Sequence, residues 1–212
     1  MGNAVAQKQR GWRGSEKVWL DVAYDALIEG GVEAVRVMPL AETLGLSRTS
    51  FYWHFADREA LLNALIQRWK EKNTGNLVRQ TQLFAETITE AALNLFDCWI
   101  APELFDARLE LAMRNWSQSS PELKAIFEKT DAERIEALRA MFARFSFDAH
   151  QADIRANTIY LTQVGYICMK ADEPLPERIR RMPLYVETFT GRAPRQAEIE
   201  RFMDRNREHL NG

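Results

Sequence analysis

The side chains best suited to bind a polyanion are concentrated in one short stretch of the chain, between residues 47 and 58. Arginine can donate two parallel hydrogen bonds to guanine, a threonine methyl group can contact thymine, and hydroxyl, imidazole and guanidinium groups can bind phosphate. The residues of the stretch that are predicted to contact DNA are Ser47, Arg48, Thr49, Ser50, Tyr52, Trp53, His54 and Arg58. Their types and spacing predict a surface for double-stranded DNA.

Two short helices joined by a tight turn are predicted to position these side chains. Apolar residues recur at helical spacing from Leu40, and Gly45 follows them where a helix end favours a left-handed residue. Ser47 can cap the second helix, which is predicted over residues 48–54 and turns Phe51 and Phe55 inward. This is the pattern of a helix-turn-helix unit, whose second helix enters the major groove.

Flanking helices are predicted to complete a small domain around this unit. Ser15 is a good cap for a first helix that ends at Gly30 and Gly31. Asp57 can cap a further helix that leads into the rest of the chain. Both helices are expected to serve mainly as scaffold. Trp53 has two possible roles, contact with the sugar-phosphate backbone or packing on the first helix, and His54 could hydrogen-bond within the domain instead of binding DNA.

The string LAETLGLSRTSFYWHFADREALL resembles the DNA-binding domain of the TetR family of bacterial transcriptional regulators. The resemblance covers roughly residues 15–72. It implies an all-α fold, in which an N-terminal three-helix helix-turn-helix domain precedes a helical-bundle domain for ligand binding and dimerisation. The matching positions are Leu40-Ala41, Gly45-Leu46-Ser47, Phe51-Tyr52, His54-Phe55, Arg58 and Ala60-Leu61.

One position departs from the family pattern, and one matching position carries a different cation. Arg36 stands where the family usually has a Thr or Ser that caps the second helix and contacts a phosphate. The arginine removes that cap but could still bind the phosphate. Arg58 stands where the family has a lysine that pairs with the DNA backbone. The resemblance therefore implies phosphate contacts for both arginines.

Three segments are predicted from composition and charge. Residues 1–14 read as a flexible basic arm, either a solvated tail or one that reaches DNA. Residues 15–72 form the DNA-binding domain with its bridging helix, and residues 73–212 form the second domain. The boundary is placed at the polar, glycine-containing break Lys72–Asn76. Residues 1–17 carry a net charge of +3, although the whole chain carries -2.

The second domain is predicted to be helical throughout, with one long helix over residues 77–100. It is rich in large aromatic and flexible side chains, which could line a small-molecule pocket or could simply form core. The family resemblance favours the pocket, because its members bind a small effector in this domain. The candidate ligand-binding residues are Phe96, Trp99, Met113, Trp116, Phe127, Met141, Phe142, Tyr160 and Gln163, with Asn115 and Thr162 as further polar candidates.

A homodimer is also expected, because two recognition helices about 34–36 Å apart are needed to reach successive turns of a palindromic operator. The family resemblance implies a two-fold four-helix interface, for which the helices beginning near Asp148 and Pro176 are the candidates. Small residues at Ala149, Ala152 and Ala156 would permit close packing there.

Other function classes receive little support from the sequence. The chain has no apolar run long enough for a membrane span and no secretory signal. Cys98 and Cys168 are expected to be buried free thiols in a reducing bacterial cytoplasm, where the protein would associate with the nucleoid when bound to DNA. Its three histidines lack metal-site spacing, and no phosphate loop or nucleophile motif is present. We therefore expect no enzyme activity, no cofactor and no metal.

Three hypotheses remain for the function. The first is a repressor that is released from operator DNA by a small apolar or aromatic effector. The second is a DNA-binding dimer without an effector, whose second domain serves dimerisation or a protein partner. The third is a helical enzyme or carrier with an incidental helix-turn-helix, which the string from Leu40 to Leu62 argues against.

Overall fold

The computed structural model describes residues 14–210, and every regular element in that range is helical. The chain divides into two compact units, Met1–Trp69 and Lys70–Gly212. The basic arm predicted for residues 1–14 lies outside the described residues except for Gly14. The prediction of an all-α chain with an N-terminal helix-turn-helix domain is confirmed.

Four α-helices and one short 3-10 turn make up the described part of the first unit. Its first helix begins after Ser15, whose hydroxyl accepts a hydrogen bond from the Val18 N–H, and ends at a glycine in a positive-φ conformation. Asp57 likewise accepts a bond from the Ala60 N–H at 2.8 Å, as its predicted capping role requires. The elements are α1 Glu16–Gly30, the 3-10 turn Val32–Ala34, α2 Val37–Leu44, α3 Arg48–Phe51 and α4 Arg58–Trp69.

An aromatic cluster anchors the recognition helix to its scaffold. The rings of Trp19 on α1 and Phe51 on α3 meet edge to face, 5.3 Å between centroids. Phe51 also stacks on Phe55 at 5.5 Å, and all three side chains are buried. Such ring pairs add about 0.5–1.5 kcal/mol beyond the area that they bury. The inward role predicted for Phe51 and Phe55 is therefore confirmed.

The second unit begins with a π-helical segment, Lys70–Gly75, and continues as a bundle of α-helices. Its main core lies among the helices beginning near residues 76, 88, 121 and 149. The helices are α5 Asn76–Gln82, α6 Ile88–Ile100, α7 Ala107–Ser117, α8 Pro121–Ala143, α9 Ala149–Cys168, α10 Leu175–Thr190, α11 Gln196–Arg205 and α12 Arg207–Leu210.

A buried ion pair joins α7 and α8 to the π-helical segment. Glu110 and Arg134 form two hydrogen bonds, at 2.8 and 3.1 Å, and both side chains are 1% exposed. Arg134 also donates to Thr74, and Asn73 donates to Glu110 at 3.0 Å. Burial opposes ionisation of Glu110, but the adjacent guanidinium of Arg134 outweighs it and lowers the pKa of Glu110 to about 2. The pair is therefore fully charged at neutral pH.

A second polar contact fixes the C-terminal helices to the bundle. Glu198 on α11 accepts hydrogen bonds from Thr87 at 2.6 Å and Thr89 at 2.8 Å, at the start of α6. It also accepts a bond from the backbone N–H of Arg195 at 2.8 Å, which satisfies a donor at the start of α11. This sparsely apolar helix is thus held by polar groups as well as by its buried Phe202.

Several local predictions were wrong. The helix predicted over residues 77–100 is two helices, because Thr87 caps α6 by accepting a bond from Glu90 N–H at 3.1 Å. The break predicted at Lys72–Asn76 is helical. Cys98 is buried as expected and burial raises its pKa to about 12, whereas Cys168 is exposed at the end of α9. Both thiols are free.

Residues 14–210 contain neither a membrane-spanning helix nor a cluster of metal ligands. None of the helices in this range has the length and hydropathy needed to cross a membrane. No group of three or more His, Cys, Asp or Glu side chains in the same range is arranged to hold a metal ion.

Candidate nucleic-acid interface and ligand cavity

The turn between α2 and α3 has the geometry that its sequence predicts. Gly45 is left-handed, with φ 63° and ψ 28°, where a residue with a β-carbon would be strained. Its N–H donates to Glu42 O at 3.0 Å, and the Leu46 N–H donates to Ala41 O at 2.9 Å. Ser47 then accepts a bond from the Ser50 N–H at 3.3 Å and begins α3. These bonds fix the direction in which α3 leaves α2.

The outer face of the recognition helix presents one polar unit and two exposed aromatic rings. Arg48 and Thr49 are exposed, and Arg48 Nη2 donates to Tyr52 Oη at 2.9 Å. The guanidinium also lies 5.5 Å from the centre of the Tyr52 ring. Trp53 is 63% exposed, so its indole points outward. The α-helix ends at Phe51, and residues 52–54 continue it as a turn, which shortens the predicted helix.

Two residues predicted on this face lie differently. Ser50 is 8% exposed and its hydroxyl lies 3.1 Å from that of Ser47, so its predicted outward position is wrong. The reason is geometric: Ser50 precedes the buried Phe51 and faces back towards its own helix cap. His54 is half-buried, and among the described residues its Nε2 atom has no hydrogen-bond partner. That atom therefore makes no hydrogen bond within the domain.

Arg58, at the matching cation position, and Arg36, which departs from the family pattern, have contrasting surroundings. Arg58 donates to Val35 O at 2.6 Å and to Val32 O at 2.7 Å, which ties the start of α4 to the connection before α2. Arg36 is exposed at the N-cap of α2, and its side chain makes no capping hydrogen bond. The guanidinium of Arg58 thus has a role inside the domain, whereas that of Arg36 faces solvent.

Comparison with known proteins agrees with this geometry. Residues 20–65 match the model of the bacterial regulatory proteins of the tetR family. Over 51 residues the chain is 41% identical to the class A tetracycline repressor from transposon 1721 of Escherichia coli, a match that covers 24% of each chain. Residues 20–65 therefore carry the N-terminal domain of the tetR-family regulators. The matched region spans about a quarter of that relative's length, so residues outside it are compared by fold alone.

Solved structures extend the comparison to the second unit. A candidate TetR-family transcriptional regulator from Mesorhizobium loti MAFF303099 superimposes with a TM-score of 0.56, at 15% identity, over 89% of this chain and 95% of that one. The TetR-family repressor AlkX from Dietzia sp. gives a TM-score of 0.45 at 19% identity, over 85% of this chain and 98% of that one. The first of these shows that the shared fold includes the helical second unit.

The second unit contains a cavity of about 40 Å³ between α6, α9 and α10. Three residues of the predicted ligand set, Phe96, Trp99 and Gln163, line it, together with Thr162. A void of about 10 Å³ lies beyond Trp99 and Gln163 and reaches Tyr160. The other lining residues of the larger cavity are Ile100, Ile159, Tyr166, Glu173, Arg178, Ile179, Met182, Tyr185 and Phe189.

The remaining predicted ligand residues line neither of these two spaces. Met113, Met141 and Phe142 are fully buried, and the last two belong to the main core. Arg114 covers the ring of Phe127 at 4.9 Å. Trp116 is half-buried on α7, whereas Asn115 is exposed. The alternative of plain core packing therefore describes most of this set.

Tyr160 is engaged in a polar network instead of being free for a ligand. Its hydroxyl donates to Asp131 at 2.6 Å and accepts bonds from Arg114 at 2.9 Å and from Arg134 at 3.2 Å. Burial raises the pKa of this phenol above its ordinary value. Tyr160 thus holds together α7, α8 and α9 beside the void.

Sequence reasoning missed the wall that α10 contributes to the cavity. Arg178, Met182, Tyr185 and Phe189 recur at intervals of four, three and four residues, which places them on one face of that helix. This periodicity was the available signal. The helix beginning near Pro176 was predicted only as part of the dimer interface, so its side facing the cavity was not predicted.

Proposed function

We propose that this TetR-family protein is a homodimeric, ligand-responsive repressor of transcription. The observation that carries DNA binding is the outer face of α3, where Arg48 and Tyr52 form a hydrogen-bonded pair beside the exposed Trp53. Since Phe51 anchors the other side of the helix, these groups are held on a rigid support. The protein would act in the bacterial cytoplasm, where its operator is.

The side chains of this face divide by what they can contact. Arg48 is our candidate for a guanine contact, which is worth about 1–3 kcal/mol of base discrimination when bidentate. Thr49 is positioned to meet a thymine methyl group. The exposed guanidinium of Arg36, the hydroxyl of Ser47 and the imidazole of His54 are candidates for phosphate, which fixes register without reading sequence.

Dimerisation is supported by an exposed apolar stripe on the second unit. Ile154 and Leu161 on α9 are 58% and 62% exposed and lie on one face of the helix, and Leu184 on α10 is 66% exposed. Apolar side chains exposed together in this way are typical of protein interfaces. Ala152 and Ala156 are buried in the core of their own unit. They therefore cannot pack in this interface, contrary to the prediction.

The effector is supported by the aromatic cavity between α6, α9 and α10. Its volume, about 40 Å³, is well below the roughly 300 Å³ of a typical ligand site. The aromatic lining thus supports an effector, whereas the small volume favours a second candidate function, a DNA-binding dimer without an effector. A thermal-shift screen separates the two, because a ligand at about 100 times its Kd stabilises the protein by roughly 2.7 kcal/mol.

The DNA-binding proposal is tested by fluorescence anisotropy with the duplex upstream of this protein's own gene and with a random duplex, at several salt concentrations. Wild type should prefer the upstream duplex, with affinity falling steeply as salt rises. Arg48→Ala should lose the preference, and Tyr52→Phe should weaken it by a smaller factor because the ring remains.

The matched control is Arg207→Ala, which removes an exposed arginine from the second unit. It should leave both affinities unchanged. Equal binding of wild type and Arg48→Ala to every duplex would contradict the assignment of α3 as the recognition helix.

A further inference from the structure

The cavity between α6, α9 and α10 contains a cation that no described residue neutralises. Arg178, in the first turn of α10, lines the cavity, and within residues 14–210 its guanidinium has neither an ion pair nor a hydrogen bond. Two neighbouring carboxylates are engaged elsewhere. Glu173 pairs with Arg181, and Glu177 pairs with Arg180 at 2.7 Å. A positive charge therefore remains without compensation at this wall.

The hydrogen bonds at the cavity rim also leave the charge of Arg178 without a partner among the described residues. The Tyr166 hydroxyl lies 3.2 Å from Glu173 Oε2 and 3.0 Å from the Tyr185 hydroxyl. Glu173 is thus occupied from two sides, by Tyr166 and by Arg181. These bonds leave Arg178 as the charged group of the lining that is free to bind a ligand.

A second unsatisfied donor lies in the same lining. The indole N–H of Trp99 is buried and has no acceptor among the described residues. Buried polar groups almost always have a partner, so an orphaned donor beside a cavity points to an acceptor that enters from outside. Trp99 and Arg178 can both donate to an oxygen atom of a ligand. Because the guanidinium of Arg178 is a cation, it favours an oxygen that carries a negative charge.

The apolar walls are suited to a flat ring. Phe96 and Trp99 meet edge to face at 4.7 Å, and Tyr185 and Phe189 stack at 5.8 Å. Aromatic walls of this kind offer both ring faces and ring edges to a planar guest. We propose that the effector of this protein is a small aromatic acid, whose carboxylate binds Arg178 and whose ring lies among these side chains.

This inference rests on the proposed function, because it takes the cavity to be the effector site. The cavity of about 40 Å³ is smaller than the roughly 150 Å³ that holds a benzene molecule. The ring must therefore displace part of the lining. Met182 is the suitable residue, because its unbranched side chain can adopt other rotamers at low cost. Binding is thus coupled to a change in how α10 packs on α6 and α9.

The test is isothermal titration calorimetry of the full chain with two matched pairs of probes, phenylacetate with phenylacetamide and 1-naphthylacetate with 1-naphthylacetamide. At least one acid should bind about 10- to 100-fold more tightly than its amide, the factor expected of a charge-assisted hydrogen bond. Arg178→Gln should remove that difference while the amide affinity stays the same. Trp99→Phe should weaken both members of a pair.

The matched control is Arg180→Gln, which removes an exposed arginine two positions away on the same helix. It should leave acid binding unchanged. The inference is overturned if neither acid binds, if acid and amide bind equally, or if Arg178→Gln keeps the preference. Duplex binding is measured on the same samples, so a failure of acid recognition is separated from a failure of the regulator itself.

Discussion

Arg58 shows how a side chain suited to phosphate can be used inside a domain. Its guanidinium donates to two backbone carbonyls, those of Val32 and Val35, at 2.7 and 2.6 Å. A lysine has a single ammonium group and cannot reproduce this planar two-carbonyl contact. The arginine at this position therefore contributes to the stability of the first unit, whether or not it also reaches DNA.

We expect Arg58→Ala to lower the free energy of unfolding of the first unit by about 1–3 kcal/mol, because two carbonyls lose a charged donor. Urea denaturation followed by tryptophan fluorescence measures this loss. Arg48→Ala is the control, since among the described residues its guanidinium hydrogen-bonds to the exposed Tyr52, and it should leave the midpoint unchanged. If Arg58→Ala weakens DNA binding with no loss of stability, the contact to the carbonyls is unimportant.

At this scale the sequence identifies residue types better than it identifies side-chain directions. Helical spacing correctly separated the exposed Arg48, Thr49 and Tyr52 from the buried Phe51. It misplaced Ser50, because a four-residue helix is too short for periodicity to resolve a neighbour of the buried position. The two carbonyl contacts of Arg58 join residues more than twenty positions apart, so no local pattern could reveal them.

Among the elements, the π-helical segment depends on the ion pair between α7 and α8. Asn73 donates to Glu110, and Arg134 donates to Thr74, so the ion pair supplies partners for the two buried side chains of the segment. Removing one member of a buried pair typically costs about 3–5 kcal/mol, because the other charge stays buried. The network is therefore expected to dominate the stability of this region.

Glu110→Gln should destabilise the second unit by about 3–5 kcal/mol at pH 7. The pKa of Glu110 is about 2 in the folded protein, below its ordinary value of 4.5. Its contribution is therefore complete above pH 4.5 and is lost as the pH falls from there towards 2. The difference between wild type and variant should narrow over that range in urea denaturation. Glu136→Gln, an exposed control, should shift nothing.

Element boundaries were predictable where a cap is unambiguous. Ser15, Ser47 and Asp57 were predicted as caps, and each accepts a backbone N–H. Thr87 was missed because its flanking apolar residues continue the helical spacing on both sides, so the pattern alone favoured one long helix. Its cap is also tied to Glu198, more than one hundred residues later.

For the whole molecule, the exposed stripe on α9 and α10 predicts how two copies associate. We expect the double variant Leu161→Glu, Leu184→Glu to be monomeric in light scattering after size exclusion, because charges would be buried in the interface. It should also lose affinity for a palindromic duplex. Phe84→Glu, at a residue that is 86% exposed outside these helices, is the control and should remain dimeric. A dimeric double variant would place the interface elsewhere.

The cavity is the feature that the sequence could predict least. Its walls come from α6, α9 and α10, which are distant in the chain, and which aromatic residues line it depends on how these helices pack. Composition correctly indicated that aromatic side chains are abundant. It could not separate Phe96 and Trp99, which line the cavity, from Phe142, which fills the core.

The exposed Cys168 gives the protein a native attachment point for a spectroscopic label. It lies seven residues after Leu161, and therefore on the face of α9 that carries the apolar stripe. Cys98, the other thiol of the chain, is buried, and its raised pKa suppresses the reactive thiolate. A maleimide spin label would thus mark one position in each protomer. If two copies associate through this stripe as proposed, the distance between their labels would report on that association, with and without a carboxylate ligand, and would require no engineered cysteine.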